Sequence, residues 1–330
     1  MRVARLHGQS DVRLHDEERP RPGAGEVLVR VAAVGLCGSD LHWYSEGRIA
    51  DCAVGRPFVL GHEIGGVTED GRVVAVDPAI PCADCPQCHE GHSNLCQRTL
   101  FAGDGVYDGG LGEWVAWPER CLVPLPAPLT PADGAMLEPL GIALHALDLA
   151  HLRPGGSLAV LGCGPIGLLV LQVARRAGAR VFATDLVSRP HRLEAARALG
   201  AEVFAAEEGG EGRAILEAAG GGVDAAVETA GEDAAVGAAV EAVRPGARIV
   251  LVGIPTALRT SFVAGTARRK GLTLVLARRM GEVYPRAVQL VTSAAVDVRS
   301  MVSHRFPLAD VRAAFSAAEQ RVGLKVLVEP

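Results

Sequence analysis

Two patterns of apolar spacing divide the chain. Up to about residue 145 the apolar runs are short and are punctuated by Gly and Pro. EVLVRVAAVG (26–35), RVVAVD (72–77) and EWVAW (113–117) read as strands of an antiparallel, loop-rich domain. From Leu158 the pattern changes. SLAVLG (157–162), RVFATD (180–185), AEVF (201–204), VDAAVET (223–229), ARIVLVG (247–253) and LTLVLA (272–277) are continuous apolar runs rich in β-branched residues. Helical stretches separate most of them, such as PIGLLVLQVARRAG, HRLEAARALG and AAVGAAVEAVRPG. Buried strands alternating with helices predict a parallel sheet covered on both faces. Six of them at this pitch fit a doubly wound dinucleotide-binding fold. Beyond about residue 283 the pattern loosens. MVSHRFPL (301–308) and GLKVLVEP (323–330) predict strands that return to the first domain. The expected class is α/β, a Rossmann sheet plus a mainly β domain, divided as 1–146, 147–282 and 283–330.

Bulk properties exclude some functions. A chain of 330 residues exceeds one comfortable core, and 49% apolar content supplies two. The net charge of −5 offers no basic surface for nucleic acid. No apolar run reaches membrane-span length. The opening MRVARLHGQSDVRL has no apolar signal core and no small-residue cleavage site. A soluble, cytoplasmic, reduced protein is expected, with its cysteines as thiols.

Candidate chemistry begins with cysteine. Cys82, Cys85, Cys88 and Cys96 follow the spacing C-x2-C-x2-C-x7-C within a lobe at about 78–98. Four thiolates so spaced fit a closed, tetrahedral, structural Zn²⁺ site. Two disulfides would require the oxidising compartment that the N-terminus argues against. His89 and His92 lie inside the lobe and are read as exposed loop, since four cysteines complete the tetrahedron. Gly162, Gly164 and Gly167 form G-x-G-x-x-G between a predicted strand and a predicted helix. There the first glycine makes the tight turn, the second admits the pyrophosphate and the third lets helix pack on strand. Free N–H groups at the helix start favour phosphate. Asp185 ends the second strand, eighteen residues beyond Gly167, where a carboxylate accepts from a ribose 2′-OH and favours NAD over NADP. Arg189 and Arg192 follow closely and weaken that preference. A second metal site is suggested by Cys37, His62 and either Glu63 or Glu138. One thiolate, one imidazole and one carboxylate leave a fourth position open, as in catalytic zinc. These residues span about a hundred positions, and spacing alone does not show that they meet.

CGSD, GHE, CADCPQC…C, LEPL and GCGPIG, in this order, resemble the zinc-dependent medium-chain dehydrogenase/reductases over essentially the whole chain. CGSDLHWYSEGRIA, PFVLGHE, EPLGIALHA, TDLVSRPHRLEAARALGA and VSHRFPLADVRAAF narrow the resemblance to the polyol (sorbitol, L-iditol, xylitol) dehydrogenase branch. The resemblance implies a GroES-like catalytic domain, a Rossmann domain and a cleft between them. It implies catalytic zinc at Cys37 and His62, with Glu63 and Glu138 as the carboxylates, one ligating and the other acting through water or exchanging. It implies that a secondary hydroxyl, acidified at zinc, gives up hydride to the nicotinamide of NAD and leaves a ketose. Ser39 and His42 carry over as a proton relay.

The expected cofactor contacts are Gly162, Gly164, Pro165, Ile166, Gly167, Asp185, Arg192, Thr229, Val252, Gly253 and Arg278. Trp43, Tyr44, Glu46 and Arg48 are weaker expectations for the substrate side. Ala277, Arg278 and Arg279 stand where the polyol enzymes often carry an aromatic beside an Arg, so the substrate is less determined than the reaction. L-threonine 3-dehydrogenase and L-idonate 5-dehydrogenase share CGSDLH, GHE and EPL and are the nearest rivals. Arg48, Arg278 or Arg279 would anchor a substrate carboxylate there. A zinc-free quinone reductase and a non-catalytic NAD-binding protein are the more distant ones. Resemblance also implies a homo-oligomer, dimer or tetramer, with a homotetramer as the working expectation.

Overall fold

The computed structural model describes every residue except 50, 51 and 208. Ala50, the last residue of the CGSDLHWYSEGRIA segment, therefore lies outside the described residues. The strands of the two main sheets are β1 (Glu26–Gly35), β2 (Glu63–Thr68), β3 (Val73–Val76), β4 (Trp114–Pro118), β5 (Leu122–Pro124), β6 (Ser157–Leu161), β7 (Arg180–Leu186), β8 (Glu202–Ala206), β9 (Val223–Glu228), β10 (Val243–Leu251), β11 (Thr273–Leu276), β12 (Val302–Pro307) and β13 (Lys325–Glu329). The principal helices are α1 (Gly38–Glu46), α2 (Pro131–Ala135), α3 (Leu137–Ala150), α4 (Pro165–Arg176), α5 (Pro190–Ala198), α6 (Glu211–Ala218), α7 (Asp233–Ala242), α8 (Ala264–Lys270), α9 (Tyr284–Thr292) and α10 (Val311–Glu319).

The chain forms two units, one made of Met1–Pro139 and Tyr284–Pro330 and the other of Leu140–Val283. The first boundary falls inside α3, seven residues before the 146/147 division read from the sequence, because one uninterrupted helix carries the chain from unit to unit.

In the first unit the sheet order is β5-β3-β2-β1-β13-β12, with β4 paired to the first half of β1. All pairs are antiparallel except β12 with β13, which run parallel. The two last strands thus complete a sheet begun three hundred residues earlier, and this is how the C-terminal segment returns. The core gathers Val29, Val34, Ile64, Phe58, Val328 and Phe315. Helix α1 leaves β1 almost at once. Cys37 is its N-cap, and Asp40 closes a capping box with it. Asp40, Trp43 and Tyr44 are its buried residues, at the three- and four-residue spacing of one helix face.

The second unit holds six parallel strands in the order β8-β7-β6-β9-β10-β11. Strand order reverses between β6 and β9, so the crevice at the carboxyl ends of these strands is where such a fold takes its ligand. The core is built of Leu161, Phe182, Ala226 and Ile249 with Ala239 and Ile215 from the helices. One element differs from the sequence reading. Residues 243–246, read as the last turn of a helix, open β10 instead. Pro245 lacks the N–H a helix interior needs, and Gly246 adopts φ 74, so the helix ends at Ala242.

Candidate active site

The first unit brings Cys37, His62 and Glu63 together, with ligand atoms all within 4.8 Å of one another. Each reaches this point by a different route. Cys37 caps α1, and its N–H donates to Asp40 Oδ2 at 2.9 Å. Asp40 is fully buried, and its Oδ1 accepts from Gly61 N at 3.1 Å and faces His62 Nδ1 at 3.6 Å. One carboxylate therefore ties the helix start, the turn before His62 and the imidazole. With Nδ1 turned to Asp40, Nε2 is the nitrogen left for a metal. Burial disfavours a charged His62, but Asp40 and Cys37 outweigh it and raise its proton affinity well above the usual value. An imidazole so biased is a strong metal donor.

Glu63 opens β2 directly across from Gly35. A Cβ on residue 35 would lie 1.9 Å from Glu63 Oε2, so the carboxylate occupies space that only glycine leaves. Lys325, at the start of β13, sets its Nζ 2.6 Å from both Glu63 oxygens and donates to Leu36 O at 3.1 Å. The two side chains are 2% and 0% exposed. Burial works against the charged lysine, but Glu63 and Cys37 override it and its pKa is raised. Such a pair persists only when geometry and hydrogen bonds are complete, as they are here. Glu138, in the first turn of α3, is buried but stands outside the cluster of three. Burial first, opposed by His62 and aided by Glu63, pushes its pKa up to about 7. A soft thiolate, a basic imidazole and a carboxylate on buried, pre-bonded elements fit a zinc ion.

Around this centre the other expected residues take distinct places. Ser39 Oγ lies 3.5 Å from His62 Nε2. His42 Nδ1 lies 2.7 Å from Glu46 Oε1, one helical turn on. Trp43 and Tyr44 are both buried. Trp43 packs edge-on against Phe58 at 5.3 Å, and Tyr44 stacks on Phe315 at 4.6 Å, both within the core. The helical period that turns Asp40 inward turns these rings inward too. Arg48 sits in a two-residue ribbon, Arg48–Ile49 against Cys52–Ala53, and is exposed.

Cys82, Cys85, Cys88 and Cys96 also converge within 4.8 Å, each as a thiol. A tetrahedron with 2.3 Å zinc–sulfur bonds needs sulfurs roughly 3.8 Å apart. Cys85 and Cys88 stand at 3.5 Å, and Cys82 N–H meets Cys96 Sγ at 3.4 Å. The lobe fits a closed zinc site.

In the second unit the expected cofactor residues lie at the carboxyl ends of the parallel strands. Gly162 follows β6 with φ 106, a conformation that side chains avoid. Gly167 lies where a Cβ would come 1.9 Å from Gly162 O. Gly164 is the N-cap of α4, followed by Pro165, Ile166 and Gly167 in its first turn. Thr229, just past β9, donates to Gly162 O at 2.8 Å and so clamps the turn. Val252 and Gly253, just past β10, both donate to Glu228 O. Arg278 stands just past β11. Asp185 Oδ2 accepts from Cys163 N at 2.9 Å, and Arg189 and Arg192 approach it at 3.8 and 3.9 Å. Among the described residues no helix is long and apolar enough to cross a membrane.

Asp40 and Lys325 escaped the reading of the sequence. Asp40 was in plain view within CGSD, three residues after Cys37 at capping-box spacing. Lys325 carried a compositional signal. It is one of only two lysines in the chain, and it heads an apolar strand, where an unpaired ammonium has no place.

Comparison with known proteins agrees with this architecture. Residues 23–127 match the family model described as alcohol dehydrogenase GroES-like domain, and residues 165–293 match that described as zinc-binding dehydrogenase. The chain is 32% identical to sorbitol dehydrogenase of Bacillus subtilis over 100% of its own length and 97% of that protein's. It is 33% identical to a probable D-xylulose reductase A of Emericella nidulans, covering 96% of this chain and 93% of the other. A solved Escherichia coli alcohol dehydrogenase in complex with NADH superposes with a TM-score of 0.90 at 27% identity, covering 100% of this chain and 99% of the other. With both domain models and the polyol dehydrogenases aligned end to end, the chain belongs to the zinc-dependent medium-chain dehydrogenase/reductase family, in its polyol dehydrogenase branch.

Proposed function

We propose that the protein oxidises a secondary hydroxyl of a sorbitol-like polyol to the ketone, passing hydride to NAD. The convergence of Cys37, His62 and Glu63 at the foot of the helix that carries Ser39 and His42 is the observation that carries this reading. A zinc ion held by those three side chains supplies Lewis acidity, which makes a bound hydroxyl a stronger acid. Asp40 keeps the His62 imidazole in the tautomer that presents Nε2. Lys325 balances the Glu63 charge and holds its carboxylate at the site. Glu138, raised to about 7, holds a proton or releases it near neutrality, as a group exchanging with solvent or substrate needs. Ser39, beside His62 Nε2, accepts a hydrogen bond from the reacting hydroxyl, and His42 receives the proton on its way out. In the second unit the free N–H groups at the start of α4 hold pyrophosphate, and Asp185 selects the ribose. The Escherichia coli relative that binds NADH supports the choice of NAD.

The same reading makes the protein a cytoplasmic homo-oligomer. The four lobe cysteines, gathered as thiols for a metal, suit a reduced compartment. Strand β11 is the sheet edge, and its Leu276 is 76% exposed. An exposed apolar edge is the surface a second copy covers. Light scattering of wild type and Leu276→Lys tests it, with dissociation expected in the variant.

Initial rates of nicotinamide reduction on zinc-loaded protein test the function, with sorbitol, xylitol, galactitol, L-threonine and L-idonate. Turnover on polyols is expected. Turnover confined to threonine or idonate overturns the substrate assignment and points to an arginine anchor.

A further inference from the structure

The contact between His42 and Glu46 goes beyond anything the relay requires of its own members. Glu46 ends α1, and its Oε1 lies 2.7 Å from His42 Nδ1. An ionised carboxylate has only acceptors, so the ring nitrogen facing it carries the proton. Nε2 is then the nitrogen with a free lone pair, the only one able to take a proton from a hydroxyl. Ser39, His42 and Glu46 stand at positions i, i+3 and i+7 of one helix, the spacing of a single face. That face cannot turn. Asp40 pins the first turn of α1, Trp43 and Tyr44 are buried in the core, and Gly47 ends the helix in the left-handed region with φ 66. The pair is itself partly shielded, with side chains 19% and 26% exposed.

We propose that Glu46 is a positioning residue for the relay: by accepting the Nδ1 proton of His42 it fixes the ring tautomer and orientation that leave Nε2 as the proton acceptor. The proposal rests on the reading of Ser39 and His42 as a relay. It moves Glu46 from the substrate side, where the sequence reading put it, to a place behind the histidine. When His42 takes a proton, the carboxylate also stabilises the imidazolium. The logic is that of an orienting carboxylate behind a catalytic histidine, where the tautomer decides the rate. The competing account is a surface ion pair at i, i+4, which contributes little and directs nothing.

Long-range proton–nitrogen NMR on zinc-loaded protein with labelled histidine tests it, with His42→Gln to assign the signal. Wild type is expected to show His42 protonated at Nδ1. Glu46→Gln keeps an acceptor oxygen and is expected to keep that tautomer, while Glu46→Ala is expected to lose it. In steady state Glu46→Ala is expected to lower kcat about tenfold with KM nearly unchanged, and Glu46→Gln to stay within about threefold of wild type. Zinc content and melting temperature confirm that both variants fold. A wild-type signal protonated at Nε2 overturns the proposal, as does an Nδ1 proton that persists in Glu46→Ala. A rise in KM at constant kcat overturns it in favour of a substrate contact. If the tautomer changes while kcat holds, His42→Gln separates the causes. A fall in kcat there refutes Glu46 alone, and no fall refutes the relay together with the role built on it.

Discussion

The two thiol-bearing clusters of the first unit meet their metal in opposite ways. The four cysteines of the lobe lie within fifteen residues, and the groups that hold them are mostly each other and nearby N–H groups. Left without metal, they disagree about protons. The Cys82 N–H draws the Cys96 thiol down to about 6, while burial pushes Cys88 up to about 11. Cys37, His62 and Glu63 come from a helix cap, a turn and a strand, and each is bonded before any metal arrives. Asp40 and Lys325 are the organisers, one for each side of the centre. A structural site lets the ion organise the chain, whereas a reactive site has the chain organise itself for the ion.

The largest expected effect follows from removing a donor of the organised centre. Cys37→Ser leaves the nucleotide turn untouched and takes away the thiolate. Turnover is expected to fall by about 10³ or more, since several kcal/mol of transition-state stabilisation reside in the metal. NADH affinity, read by fluorescence titration, is expected to hold. Turnover within tenfold of wild type breaks the assignment of the reactive site to this cluster.

Lys325→Met sharpens the comparison on stability. The variant leaves Glu63 charged, fully buried and without its ammonium partner. Losing one member of a buried pair costs about 3–5 kcal/mol. Metal-free protein is expected to show that loss in urea denaturation, and zinc is expected to restore part of it by taking over the carboxylate. An unchanged denaturation midpoint without metal would show that Lys325 does not organise the centre.

The uneven legibility of the two clusters has the same origin. The lobe was readable because its ligands are local in sequence, as was the Gly-rich turn, whose strand, glycines and Asp185 sit in one βαβ unit. The Cys37, His62, Glu63 centre was readable only as a set of candidates. Its convergence depends on the pairing of β1 with β2, which sets Glu63 opposite Gly35. The partners that complete it were hidden for a further reason. Lys325 is 262 residues from Glu63, and only the pairing of β13 with the end of β1 brings the two together. The parallel sheet was plain from its continuous apolar runs, while α3 concealed the unit boundary because a helix shows no break where a domain changes. Trp43 and Tyr44 share the buried face of α1 with Asp40, and their three- and four-residue spacing from it already carried that signal.

Cys96→Ser tests the lobe from the other side. It is expected to reduce bound zinc from two ions to one per chain and to lower the melting temperature by a few degrees. Turnover per remaining zinc is expected to fall less than tenfold, because the lobe contributes no group to the reacting centre. Loss of both metals would mean that the two sites are organised together.

The smallest effect concerns the residue that stands between the two regions. Asp77 follows β3, where the chain leaves the sheet for the lobe, and its charge is felt by Tyr284 and Glu138. Burial lifts its pKa from 3.8 to about 6, against the pull of the Ala79 N–H. A carboxyl whose folded pKa is raised holds its proton more tightly when folded. Its contribution to stability is therefore complete below pH 3.8 and is lost as pH rises through about 6. Asp77→Asn stands in for the protonated form and keeps an acceptor for Ala79. The wild type is expected to lose stability relative to this variant as pH rises from about 4 to about 7, with the difference levelling off above that. Urea midpoints of the two proteins across that window measure it. A constant difference would mean that Asp77 is hydrated enough to titrate as it does in the unfolded chain, and that the junction between lobe and centre is wetter than its burial implies.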